Sequence, residues 1–191
     1  MATAAAKASD SRHRFIEAAV RLFAKHSFAG TSLQMIADEV GVTKSAVHHH
    51  FRTREELIIA VIEPLQEQMQ AVIEDAKAQR SRRARAERLL AGFVDLVVGH
   101  RSLVPLLAGD PGTVEMLRAH AASTDMIECQ VRLLADLEPG PGGLIKARVA
   151  LAGIACGLGP DVGDFDDETL RRHLLEAGRR VLGLRTPRAC R

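Results

Sequence analysis

The chain has 191 residues, enough for one substantial core or two smaller cores sharing an interface. It is 47% hydrophobic with six Phe, no Trp and no Tyr, so its interior is built from Leu, Ala, Val and Ile, a mixture that favours helices. A net charge of +2 and a pI near 8.6 exclude a surface that is basic throughout, which leaves room only for a local basic patch. Cys129, Cys156 and Cys190 are odd in number and lack CxxC spacing, so neither a disulfide framework nor a zinc knuckle is expected, and a reducing cytosol fits. The opening MATAAAKASDSR has no long apolar run, and the segment Ala147 to Leu158 is short and broken by glycines. Neither an export signal nor a membrane span is expected, and the location read from this is cytoplasmic.

Residues 1–10 read as a disordered N-terminal arm, while the basic positions in and just after it, Lys7, Arg12 and Arg14, would alternatively suit a nucleic-acid minor groove. Phe15, Ala18, Ala19, Leu22, Phe23 and His26 then recur at i, i+3, i+4, i+7, i+8 and i+11, predicting an amphipathic helix that ends between Lys25 and Ser27. A second, short helix is predicted in TSLQMIADEV, with Thr31 or Ser32 as its cap, Leu33, Ile36, Ala37 and Val40 on its inner face, and Gly41 as its stop. Thr43 caps a third helix through KSAVHHHF, and Thr53 with Glu56 three residues on forms a capping box for a fourth.

Two short helices joined by a turn at Gly41 form a helix-turn-helix. Its second helix raises the question of what three consecutive histidines, His48, His49 and His50, are for. Successive helical residues diverge by about 100°, so the three rings do not converge on one ion, and no metal site is expected. Lys44, Ser45, His48 and His49 make one polar face, whereas Ala46, Val47, His50 and Phe51 make the face that packs inward.

The run IEAAVRLFAKHSFAGTSLQMIADEVGVTKSAVHHHFRTREELI resembles the N-terminal DNA-binding domain of TetR-family transcriptional regulators, over about residues 11 to 62. The resemblance implies DNA binding, a second helical domain that takes a small ligand, and dimerisation through the last two helices. Three departures from the family's usual residues stand out. Ser27 replaces glycine at the end of the first helix, which predicts a left-handed residue at a cost of about 1 kcal/mol. His48 replaces a tyrosine, and Arg54 replaces a lysine at the start of the fourth helix. For DNA, the first turns at Thr31 and Ser32 and at Arg54 are expected to meet phosphates, with charge from Lys44 and Arg54. Thr43, Lys44, Ser45, His48 and His49 lie where base edges are read.

After Leu57 the sequence reads as a helical bundle. The fourth helix continues to about Arg80, with Pro64 expected to kink it or to interrupt one hydrogen bond. RAERLLAGFVDLVVGH and SLVPLLAG follow, then a long helix from about Thr113 to Leu137, and EPGPGG as a loop. Phe93, Leu96 and His100 on one helix, with Met116, His120 and Ser123 on the next long one, set polar groups into apolar faces. That suits a small-molecule pocket, although a histidine on such a face is also an ordinary core residue. In the last two helices, the small residues Ala147, Ala150, Gly153 and Gly157 permit close helix approach. Leu170, Leu174, Ala177, Val181 and Leu184 form a seam. Such seams fit an intramolecular core or a partner helix, and the resemblance selects a homodimer.

The chain therefore reads as all-α: a three-helix DNA-binding domain over residues 11–57, a helical ligand-binding and dimerisation domain over 58–186, and a flexible tail over 187–191. GxSxG, Walker, HExxH and paired-carboxylate motifs are missing from the sequence, so no enzyme and no cofactor are expected. The expected partners are a double-stranded operator, a small effector and a second copy of the chain, with no membrane. A DNA-organising protein without an effector is the alternative.

Overall fold

The structure, a computed structural model, describes the backbone of residues 2–158, 162 and 164–184, with side chains from residue 10 onward. The tail 187–191, Cys190 and the side chain of Lys7 lie outside the described residues. Ten helices are described: α1 Ala2–His26, α2 Leu33–Val40, α3 Lys44–His50, α4 Arg54–Lys77, α5 Arg82–Gly99, α6 Val104–Gly109, α7 Pro111–Ala119, α8 Ala121–Ala135, α9 Pro141–Cys156 and α10 Asp167–Leu182. No strand occurs among the described residues.

Local chemistry sets most boundaries. Ser32, Thr43, Thr53, Ser81 and Asp166 each adopt extended backbone and accept a hydrogen bond from the amide three residues on, capping α2, α3, α4, α5 and α10. Gly41 ends α2 at φ 75°, a conformation open to glycine without steric cost, and its amide closes on Ala37 and Asp38. The capping box at Thr53 takes a modified form, because the Glu56 carboxylate accepts from the amide of Arg52 at 2.7 Å, one residue before the cap.

Three expectations are corrected and one is narrowed. α1 begins at Ala2, so residues 2–10 continue the helix in place of a disordered arm; Ala2, Ala4, Ala5, Ala6 and Ala8 are the strongest helix formers available. Pro64 lies at an exposed position within an unbroken α4, so of the two outcomes expected there the interrupted hydrogen bond applies: with no amide, Pro64 offers no i→i−4 donor to the Ala60 carbonyl. The helix expected from Thr113 to Leu137 is two, because His120 turns extended at φ −88° and ψ 109°. There the Thr124 hydroxyl donates to the Arg118 carbonyl at 2.9 Å and the Ser123 hydroxyl bonds His120 Nδ1 at 3.0 Å, so local side chains compete with the helix ladder. The EPGPGG loop stops at Gly140, since Pro141 supplies the first residue of α9, where its fixed φ and absent amide cost nothing.

Two apolar cores result. The N-terminal one gathers Phe15, Ala19 and Phe23 of α1, Ile36 of α2, Val47 of α3 and Phe51 with Leu57, Ile58, Val61 and Ile62 of α4. Each such large side chain contributes about 1.5–3 kcal/mol on full burial. The C-terminal core joins Met69 and Ile73 of α4 with α5, α8, α9 and α10. α4 serves both, with Leu65 packed against each. Leu103 and Leu107, beside and within α6, also enter the N-terminal core, while Val104 enters the other. Gly178 of α10 lets that helix approach α5 closely, since a Cβ there would stand 2.7 Å from Leu90 Cδ1.

Candidate nucleic-acid interface

α3 is short and amphipathic, and its two faces behave as the wheel demands. Val47 is fully buried, and His50 is half-buried, its ring 5.4 Å from that of Phe15 in an edge-on contact. On the other side, Lys44, Ser45, His48 and His49 are all exposed and line one open surface depression. Among the described residues Lys44 makes no ion pair, and His48 and His49 make no hydrogen bond; the His49 ring touches only that of His50, at 5.4 Å. The face is thus basic, rich in donors and without a countercharge of its own. Thr43 sits at its start as the cap of α3, its hydroxyl accepting from the Ala46 amide at 3.3 Å.

Around this face the domain is tied together by other cations. Arg14 donates to the Val40 carbonyl at 3.4 Å and Arg21 pairs with Glu39 at 3.2 Å, joining α1 to α2. Arg12 pairs with Glu63 at 3.6 Å and lies over the Phe51 ring. Arg12 and Arg14, grouped in the sequence with a basic arm, are therefore engaged within the domain.

Two of the expected phosphate contacts are placed differently. Thr31 is buried, and its hydroxyl donates to the Ser27 carbonyl at 2.8 Å, so Ser32 alone caps α2 and stands exposed. Arg54 is half-buried, with its guanidinium donating to the carbonyls of Ala29 and Thr31 at 3.0 and 3.4 Å. Ser27 has the left-handed backbone expected of it, at φ 62°, and is the single non-glycine with positive φ among the described residues.

The six residues set out as a ligand pocket are distributed over both cores. Phe93 and Leu96 pack on the C-terminal core and Met116 on the N-terminal one. His100 bonds Gln68 at 3.1 Å, while His120 bonds Ser123, whose buried hydroxyl accepts from Gln66 at 2.8 Å. The polar members are thus hydrogen-bonded to one another and to two glutamines of α4.

The seam on α9 and α10 is divided. Ala150 and Leu170, set out as interface residues, are buried in this chain's own core, as is Ala147. Gly153, Gly157 and Ala177 are exposed, and Leu174 and Val181 half-buried. The sequence reading missed Ile145 and Val149, which are 62% and 52% exposed. The signal was present: Ile145, Val149, Ala152, Gly153 and Cys156 recur at i, i+4, i+7, i+8 and i+11, one helical face. α9 is apolar on nearly every side, so periodicity did not separate its inner face from its outer one.

Among the described residues no three His, Cys, Asp or Glu side chains gather as a metal set, and no helix is long and apolar enough to cross a membrane.

Residues 15–61 match the sequence profile of "Bacterial regulatory proteins, tetR family". The uncharacterized HTH-type transcriptional regulator YerO of Bacillus subtilis is 40% identical over 55 residues, 29% of this chain and 19% of that protein. The HTH-type transcriptional regulator TtgR of Pseudomonas putida is 41% identical over 61 residues, 32% and 29% of the two chains. These matches span less than a third of either relative's length. The fold likeness extends much further. A tetR-family regulatory protein from Rhodococcus RHA1 aligns over 92% of this chain and 98% of its own, with a TM-score of 0.69 at 17% identity. FadR from Bacillus subtilis, solved in complex with stearoyl-CoA, aligns over 87% and 96%, with a TM-score of 0.65 at 14% identity. Residues 15–61 are thus similar to the tetR family of bacterial regulatory proteins, and the chain as a whole shares its fold with solved proteins of that description.

Proposed function

We propose that this chain is a cytoplasmic, ligand-responsive transcriptional repressor that binds a (pseudo)palindromic operator as a homodimer and is released by a small, largely apolar effector. The observation that carries the DNA reading is the exposed, uncompensated face of Lys44, Ser45, His48 and His49 on α3. Phosphates supply the missing countercharge, and base edges supply acceptors for the imidazole and hydroxyl donors. Ser32, capping α2 beside this helix, and Thr43, capping α3, complete the surface.

The dimer is supported by the exposed apolar stripe of Ile145, Val149, Ala152 and Gly153 on α9, together with Leu174, Ala177 and Val181 on α10. A two-fold pair would place two recognition helices for successive major grooves, about 34 Å apart. For the effector, the fold shared with a FadR that holds stearoyl-CoA supports a site within the bundle. A second reading, an effector-independent DNA-binding or DNA-organising protein, is favoured by the way His100, His120 and Ser123 are already bonded to Gln68 and Gln66.

The test is selection of duplexes from a random pool, followed by anisotropy titration and sedimentation. A two-fold symmetric consensus bound by a dimer is the expected result, whereas equal affinity for selected and random duplexes would remove operator recognition. Compounds that raise the melting temperature and weaken operator binding would establish the effector arm. Stabilising compounds that leave DNA affinity unchanged would favour the second reading.

A further inference from the structure

The cation that opens α4 is committed to the protein itself. Arg54 Nη1 donates to Ala29 O and Thr31 O, and the guanidinium lies 5.4 Å from the centre of the Phe28 ring. These three partners, with Ser27 and Gly30, are the corner between α1 and α2. That corner is irregular. Ser27 sits at φ 62°, its hydroxyl accepts from the Gly30 amide at 3.3 Å, and its carbonyl accepts from the buried Thr31 hydroxyl. A left-handed serine is disfavoured by itself, so the corner holds its shape through what surrounds it. Among the described residues Arg54 supplies the corner's side-chain hydrogen bonds from another helix, and the next residue after Thr31 is Ser32, the cap that orients the first turn of α2.

We infer that Arg54 is a positioning residue for DNA binding: it locks the α1–α2 corner to the first turn of α4 and thereby sets where Ser32 and the opening amides of α2 meet phosphate. This rests on the DNA-binding reading above, and it reassigns a cation that its place in the sequence marks as a phosphate ligand. The planar guanidinium suits the task because it satisfies two carbonyls from one edge while its face covers an aromatic ring.

The discriminating measurement is the salt dependence of binding to the selected duplex, because each phosphate-bound cation contributes nearly one to the slope of log K against log salt. Positioning predicts that Arg54→Ala weakens binding roughly tenfold with the slope of the unmodified protein, at unchanged helicity by circular dichroism. Lys44→Ala serves as the reference and should lower the slope by about one. Positioning also predicts coupling through α2: Arg54→Ala combined with Ser32→Ala should bind within about twofold of Arg54→Ala alone. Should Arg54→Ala lose helicity, Arg54→Gln, which keeps a donor without the charge, takes its place in both measurements. The inference is overturned if the slope falls by about one in Arg54→Gln and returns in Arg54→Lys, or if the losses from Arg54 and Ser32 simply add. Failure of the underlying reading looks different, since the unmodified protein would then not discriminate its selected duplex from a random one.

Discussion

Two exposed surfaces of this chain, one on α3 and the other on α9 and α10, are built from opposite chemistry. The first presents Lys44, Ser45, His48 and His49, all polar, with no carboxylate engaging them among the described residues. The second presents Ile145 and Val149 beside Ala152, Gly153 and Ala177, with scarcely a hydrogen-bonding group among these side chains. On the reading proposed above, what each surface lacks corresponds to what would cover it. The α3 face lacks negative charge, and the α9–α10 face lacks apolar contact. The histidines elsewhere make the same point by contrast, because His100 and His120 are bonded to Gln68 and Ser123 and so act as struts.

The comparison breaks most readily on the apolar side. Ile145→Asp with Val149→Asp should leave a monomer in sedimentation, since burying two unpaired carboxylates costs several kcal/mol, and operator affinity should fall with the loss of the second half-site. A double variant that remains dimeric would take this face out of the interface. On the polar side, His48→Ala and His49→Ala should each change preference at one or two base pairs by roughly 1–3 kcal/mol in a repeated selection, with the oligomeric state unaffected. An unchanged consensus in both variants would remove the imidazoles from base reading.

A control that touches neither surface sharpens the contrast. Gln66→Ala withdraws the donor to the buried Ser123 hydroxyl and should cost about 1–2 kcal/mol in urea unfolding while leaving the salt slope of DNA binding unchanged. The smallest effect expected is from acid. The Asp166 carboxyl is held below the usual carboxylate range by the Thr169 amide and, next, the Thr169 hydroxyl. Because its folded value is depressed, the stabilisation is present at neutral pH and is lost as pH falls through that lowered value. Asp166→Asn should therefore flatten the acid limb of thermal stability slightly. A limb identical to that of the unmodified protein would show that the cap carries no pH dependence.

How much of this was legible in the sequence depends on whether the deciding interaction is local. The α2–α3 pair could be read because Ser32, Gly41 and Thr43 set their boundaries within three or four residues, and because one wheel divides His48 and His49 from His50. The left-handed Ser27 was legible for the same reason. Arg54 was not, since its partners lie 23 and 25 residues away and only the folded corner brings their carbonyls within reach. The break at His120 escaped detection because Ser123 and Thr124 fit a helical pattern until their hydroxyls are seen bonding backwards. The outer face of α9 was obscured by composition. A helix apolar on most sides gives no periodic sign of which side the rest of the chain covers, so Ala150 was taken for interface and Val149 was passed over.

The shared helices bear on how the protein can be cut. Leu57, Ile58, Val61 and Ile62 belong to the DNA-binding core, yet they precede Met69 and Ile73 of the other core on the same unbroken helix. Leu103 and Leu107 return to the DNA-binding core from forty residues further along. A fragment ending near residue 57 would lose Ile58, Val61 and Ile62, expose the inner side of α1 and forfeit both leucines, so the recognition unit has no clean excision point. Grafting this α3 onto another protein would have to carry α4 through Ile62 and recreate a surface in place of Leu103 and Leu107.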